Sequence, residues 1–132
     1  MKPNFIKKVT NWGNFPVVEK EIKSEDHLNN IKSFIKNHNE VIARGNGRCY
    51  GDAALGEAIF STKRLNQFIS FDRINGIIEC EAGVLLSEIL EVIVPQGYFL
   101  YVTPGTRLIT IGGAIASNVH GTYHHFEDSF YE

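Results

Sequence analysis

Eight of the twelve glycines in this 132-residue chain fall in two short segments: Gly45, Gly47, Gly51 and Gly56, then Gly105, Gly112, Gly113 and Gly121. Glycine serves where the main chain must turn left-handed or let another group approach closely. Two such segments, roughly sixty residues apart, require either two sharp turns or two loops shaped around a ligand. Each follows a run of strand character, Val41-Ile42-Ala43 and Tyr98 to Val102. A Gly-rich loop leaving a strand can turn successive N–H groups inward and form a nest for an anion.

The remaining segments read as a small α+β protein. Met1 to Pro16 is expected to be irregular, an N-terminal arm packed by Trp12, Gly13 and Phe15. Val17 to Ile22 alternates as a strand. Ser24 then has the character of an N-cap, with Glu25 and Asp26 in the first turn of a helix. Leu28, Ile31, Phe34 and Ile35 recur at helical spacing, and Asn37-His38-Asn39 ends that helix. Val41-Ile42-Ala43 reads as a buried strand, which completes a β-α-β unit. Ala58 to Ser61, Gln67 to Asp72 and Ile77 to Ala82 are further strands, the last two joined by a hairpin turn at Asn75-Gly76. Ser87 is expected to cap a helix carrying Ile89, Leu90, Val92 and Ile93, which Pro95 stops. Tyr98 to Val102 reads as one more strand, and a short helix starts near Thr110. An early β-α-β followed by hairpins indicates α+β, divided into a first subdomain over about 14–75 and the start of a second over 76–132.

Composition excludes several classes. Apolar residues make up 43% and charged residues 21%, which is too apolar for disorder. The net charge of -2 and a pI near 6.2 offer no basic stripe for nucleic acid and no polybasic membrane anchor. No apolar run approaches the ~20 residues of a membrane span, and the N-terminus lacks the apolar stretch of a signal peptide. Cys49 and Cys80 form no CxxC pair, and free thiols suit a reducing, cytoplasmic setting. His120, His124 and His125 lack the H-E-x-x-H spacing and have no nearby cysteine, so no metal is expected.

The first loop, Ala43-Arg44-Gly45-Asn46-Gly47-Arg48-Cys49-Tyr50-Gly51-Asp52, is neither a Walker loop nor a dinucleotide fingerprint. No Gly-Lys-Ser/Thr follows, and Gly51 comes one place too late for GxGxxG. Taken locally it is equally a Gly-rich surface turn or a phosphate loop. In the second, Pro104-Gly105-Thr106 makes a stiff turn, and Thr110 with Gly112-Gly113 offers a hydroxyl and bare backbone at a helix start, where the dipole favours an anion. Close packing of helix against sheet explains Gly112-Gly113-Ala114 equally well.

Together, Ala43 to Asp52, Pro104 to Arg107, Thr110-Ile111-Gly112-Gly113-Ala114-Ile115-Ala116-Ser117-Asn118-Val119-His120-Gly121 and His124-His125 resemble the vanillyl-alcohol-oxidase-type (PCMH-type) FAD-binding flavoproteins. Within that family the chain is most similar to the decaprenylphosphoryl-ribose oxidase branch and more distantly to sugar-alcohol oxidases. The resemblance runs from about Asn11-Trp12-Gly13 to Ser129. It implies an FAD cofactor whose pyrophosphate is carried by the first loop, Arg44, Gly45, Asn46, Gly47, Arg48, Cys49, Tyr50 and Gly51. The rest of the cofactor would lie along Gly105, Thr110, Ile111, Gly112, Gly113, Ser117, Asn118 and His120. The activity implied is oxidation of a hydroxyl of a sugar, polyol or polyprenyl-phosphoryl sugar by hydride transfer to FAD. His120 is the implied catalytic residue on the substrate side.

Two departures from the family pattern shape the expectation. Arg48 stands where many relatives carry the histidine that attaches FAD covalently, and no cysteine lies between Pro104 and His120, so FAD is expected to be non-covalent. The family's FAD domain also continues beyond this length, and a separate domain covers the substrate. The chain is therefore expected to be an N-terminal portion, inactive by itself, whose sheet edges favour self-association. Two other readings stay open: a non-catalytic nucleotide- or phosphate-binding module, and a plain α+β interaction domain whose glycines are only turns.

Overall fold

The computed structural model of the chain describes residues 6–121. It forms two compact units, the first ending at Leu65 and the second beginning at Asn66.

The first unit is a four-stranded sheet built from β1 (Ile6–Val9), β2 (Val18–Lys23), β3 (Val41–Arg44) and β4 (Ala58–Ser61), in the order β1-β2-β4-β3. Strands β2 and β3 both run parallel to β4, pairing Ile22 and Ile42 with Ile59 from either side. Helix α1 (Leu28–Lys36) makes the crossover from β2 to β3, as the β-α-β reading expects. The central strand β4 is buried along its whole length, whereas β3 lies at the edge and is only half-buried. The expected burial of Val41-Ile42-Ala43 therefore belongs to Ala58 to Ser61, which has a neighbour on each side.

Three local expectations fail in this unit for tertiary reasons. Ile6–Val9 is a strand, not irregular chain: it pairs antiparallel with β2 in the register Ile6↔Glu21 to Val9↔Val18. Ser24 does not cap α1. The N-cap is His27, with no side-chain bond and no acid in the first turn. The Ser24 hydroxyl instead donates to the Ser61 carbonyl across the sheet, while Glu25 and Asp26 pair with Lys23 and Arg64. The N-terminal arm is held by buried Val9 and Asn11, with Trp12 and Phe15 61% and 80% exposed.

The second unit pairs β5 (Phe68–Asp72) with β6 (Ile77–Cys80) as an antiparallel hairpin. The turn is the expected one. Gly76 takes a φ of +67°, and the Asp72 carboxylate accepts from the Ile74 and Asn75 amides and the Asn75 side chain. Helix α2 (Leu86–Ile93) follows and passes into a 3-10 turn at Pro95. Its N-cap is Leu85, whose amide donates to the Glu88 carboxylate at 2.7 Å. Ser87 lies inside the first turn, not at its cap, because its amide is taken by the distant Arg107 carbonyl. Val84, Leu86, Ile89 and Ile93 form the core. Cys80 packs against that core, and burial pushes its thiol above the ordinary value.

Tyr98 to Val102 is not a strand. Tyr98, Leu100 and Val102 turn inward while Phe99 and Tyr101 are exposed, but the segment belongs to neither sheet of the described residues. Strand periodicity alone cannot make a strand without a neighbour to receive its hydrogen bonds. Helix α3 (Ile111–Ala116) closes the described chain, capped by the Thr110 hydroxyl, which accepts from the Gly113 amide at 3.1 Å. The whole is α+β, as the order of elements in the sequence implies.

Candidate functional site

The first Gly-rich loop leaves β3 at the carboxyl ends of the parallel strands, the edge at which open α/β sheets bind ligands. A cleft of about 290 Å³ opens there. It is lined by Ile22 of β2 and Ser24 just past it, Arg44 at the end of β3 with Gly45 and Asn46 after it, Ser61 at the end of β4 with Lys63 after it, and Lys7 of β1. Three of these residues are cationic and none is acidic, so the cleft favours an anion. Lys7, Ser24, Ser61 and Lys63 escaped the sequence reading because only the sheet order brings them to one end. The signal in hindsight is that each stands at or near a strand terminus.

The backbone of the loop carries the strongest indication. The amides of Gly47, Arg48, Cys49, Tyr50 and Gly51 donate to no group among the described residues. Loop carbonyls are used instead: Cys49 O accepts from Trp12 N at 3.1 Å, and Gly51 O from the Asn11 side chain at 3.0 Å. Gly47 and Gly51 both sit in the left-handed region, at φ +66° and +56°. A Cβ on Gly51 would meet nothing within 4 Å, so the backbone there is open to approach. Unpaired N–H groups seek a partner, and a run of them on a bent loop fits a phosphate-bearing group.

The side chains of the loop are mostly engaged within the protein. The Arg44 guanidinium turns back onto the N-terminal segment, donating to Asn11 Oδ1 at 2.5 Å and to Thr10 O at 2.6 Å. Burial lowers its pKa from the ordinary arginine value. The Cys49 thiol donates to Ala53 O at 3.1 Å. Tyr50 is exposed and lies edge-on to Trp12, with ring centroids 5.6 Å apart. Arg48 is exposed.

The second segment behaves differently. The Ile111 amide donates to Val84 O, Gly112 to Ala82 O and Gly113 to the Thr110 hydroxyl. The start of α3 thus spends its N–H groups inside its own unit. Gly112 is a packing glycine: a Cβ there would stand 2.9 Å from both the Ala82 carbonyl and its methyl group. Gly112 is therefore explained by close packing, against the turn that follows β6 and not against a strand as the packing reading expected. Asn118, at φ +43°, ends the helix: Asn118 N bonds Ile115 O and Val119 N bonds Ala114 O, which together form a Schellman closure. Gly105, Ser117 and His120 are exposed, and Thr110 is buried. His124 and His125 lie outside the described residues.

Among the described residues no group of His, Cys, Asp and Glu side chains could hold a metal ion. Among the described residues, no helix is long and apolar enough to cross a membrane.

Comparison with known proteins places the chain in a family. Residues 18–132 match a family described as an FAD binding domain. The chain is 34% identical over 135 aligned residues to the decaprenylphosphoryl-β-D-ribose oxidase of Mycolicibacterium smegmatis, covering 97% of this chain and 29% of that protein. It is 29% identical to a D-lactate dehydrogenase of Anaerostipes hadrus over half of this chain and 14% of that enzyme. Among solved structures, cholesterol oxidase from Brevibacterium sterolicum matches with a TM-score of 0.69 at 15% identity, over 90% of this chain and 25% of the other. An alkyldihydroxyacetonephosphate synthase matches at 0.62 and 18%, over 78% and 22%. The chain thus spans under a third of the length of these relatives. With a family match over most of its length, the chain belongs to the FAD binding domain family.

Proposed function

We propose that this chain supplies the pyrophosphate-binding part of an FAD-dependent oxidoreductase that oxidises a hydroxyl of a sugar, polyol or polyprenyl-phosphoryl sugar. The reading rests on the run of unused amides from Gly47 to Gly51, set on a left-handed bend beside a cationic cleft. Such a run replaces the hydration of a diphosphate without needing a side chain at each contact. Arg48 supplies positive charge on the same loop. FAD, when bound, supplies the hydride acceptor, and the protein's part is to hold and orient it. Of the second segment, Gly105, Ser117 and His120 have the exposure that contact with a ligand requires, and His120 is assigned to the substrate side. The relative that oxidises decaprenylphosphoryl ribose supports the choice of substrate class. The free cysteines Cys49 and Cys80 suit a reducing compartment.

Titrating the purified chain with FAD while following flavin fluorescence tests the binding half of this reading. Saturable quenching and a shifted absorption band are expected. Acid precipitation should leave the flavin in the supernatant, because no histidine or cysteine stands at the attachment positions of covalent flavoproteins. A folded chain that leaves the flavin spectrum unchanged refutes the binding. Bleaching of the flavin by a polyol or a polyprenyl-phosphoryl sugar, in the longest natural form of the protein, separates an oxidoreductase from a mere nucleotide-binding module.

A further inference from the structure

Asn11 is 3% exposed and lies outside every motif of the sequence, yet it holds more of the Gly-rich loop than any residue within it. Its carboxamide is used in full. Oδ1 accepts from the Arg44 guanidinium, and Nδ2 donates to the carbonyls of both Gly51 and Ala53. One residue further, Trp12 N donates to Cys49 O; one residue back, Thr10 O receives the second Arg44 donor at 2.6 Å. Three consecutive residues of the N-terminal segment therefore grip the loop at its entry, middle and exit. Gly47 belongs to the same arrangement: a Cβ there would overlap the guanidinium, with Arg44 Cζ 2.9 Å away.

We propose that Asn11 and Arg44 are positioning residues, which together shape the Gly45–Gly51 loop for its ligand before the ligand arrives. This rests on the FAD reading above. The physical basis is that a loop whose carbonyls are pinned from behind has its N–H groups turned to the opposite side. The ordering cost of binding is then met by folding. A carboxamide suits the position because it offers an acceptor to the cation and a donor to the carbonyls. A carboxylate would keep the first and lose the second.

The test uses Asn11→Asp and Arg44→Lys in the full chain, with Asn11→Ala as the stronger variant. Backbone 15N order parameters of residues 47–53 without FAD read the loop directly, because its unbonded amides have no exchange protection to lose. Trp12, the single tryptophan of the chain, reports its contact with Tyr50 by fluorescence. Asn11→Asp retains the acceptor for Arg44, so the fold persists, while the order parameters of the loop fall and FAD affinity falls about tenfold. Arg44→Lys recovers part of what Arg44→Ala loses in both readouts. Unchanged order parameters at 47–53 in Asn11→Asp overturn the proposal, as does lowered order with undiminished FAD affinity. If the unaltered chain shows no flavin binding, the functional reading falls; the order-parameter comparison still decides whether Asn11 shapes the loop.

Discussion

Gly47→Ala should be the most informative single change in the first unit, because two separable costs meet at one methyl group. The residue sits at φ +66°, where an L-side chain costs about 1 kcal/mol or more. The added Cβ also overlaps the Arg44 guanidinium, which must leave Asn11 Oδ1 and Thr10 O. Hydrogen bonds to a charged group are worth ~1.5–3 kcal/mol each. Arg44 is half-buried and regains water once displaced, so the pair together is taken at about 1.5 kcal/mol. Gly47→Ala should then cost about 2.5 kcal/mol, and the same change in an Arg44→Ala background only about 1 kcal/mol, since the overlap is gone. The double variant should be more stable than the sum of the single effects by about 1.5 kcal/mol. Urea unfolding followed by Trp12 fluorescence reads the first unit directly. Gly51→Ala is the control. Its φ is +56° with nothing within 4 Å of the new methyl, so it should show only the backbone cost. Additivity of Gly47→Ala and Arg44→Ala within about 0.5 kcal/mol would refute the reasoning. A loss of flavin affinity in Gly47→Ala cannot then be read as a methyl standing in the place of the pyrophosphate, because the methyl points at Arg44.

The second unit makes the complementary case. Gly112→Ala should destabilise it by ~1–3 kcal/mol through overpacking against the Ala82 main chain, whereas Gly105→Ala, with no atom within 4 Å of the new methyl, should shift the melting temperature little. Ile89→Ala, at 1% exposure in the core, should cost ~2–5 kcal/mol in chemical denaturation. Acid should loosen two surface turns. Glu25 is held below its ordinary 4.5 by Lys23 and then Asn30, and Asp72 below its ordinary 3.8 by the Asn75 side chain and then the Asn75 and Ile74 amides. A depressed carboxylate stabilises the fold above its unfolded value, and that contribution disappears as pH falls through its folded value. Melting temperature should therefore drop on acidification below about pH 4.5 more steeply in the unaltered chain than in Asp72→Asn or Glu25→Gln; parallel profiles would count against these contacts.

Much of the secondary structure was readable from local pattern. Strands β2, β4 and β5, the end of α1, the stop at Pro95 and the turn at Gly76 follow from alternation, helical spacing, and Pro and Gly chemistry among near neighbours. The misplaced features share one cause. Ser24 and Ser87 are good capping residues by type, but the Ser24 hydroxyl goes to Ser61 and the Ser87 amide to Arg107. Ile6–Val9 carries two central lysines and becomes a strand only by pairing with β2. Tyr98 to Val102 has the right alternation but joins neither sheet of the described residues.

The candidate site divides in the same way. The Gly-rich loop after β3 was visible in the sequence because glycine spacing reports directly on backbone conformation, and the resemblance to FAD-binding flavoproteins rests on those residues. Which amides stay unused was not visible. Gly112 and Gly47 look alike as letters, but one packs against Ala82 and the other makes room for a guanidinium. Short-range propensity determined where this chain bends and which stretches extend or coil. Only the tertiary structure decided that Asn11 would stand behind the bend, because the partner of a carbonyl some forty positions away is set by the order of strands in a sheet, and no neighbour in the sequence encodes that order.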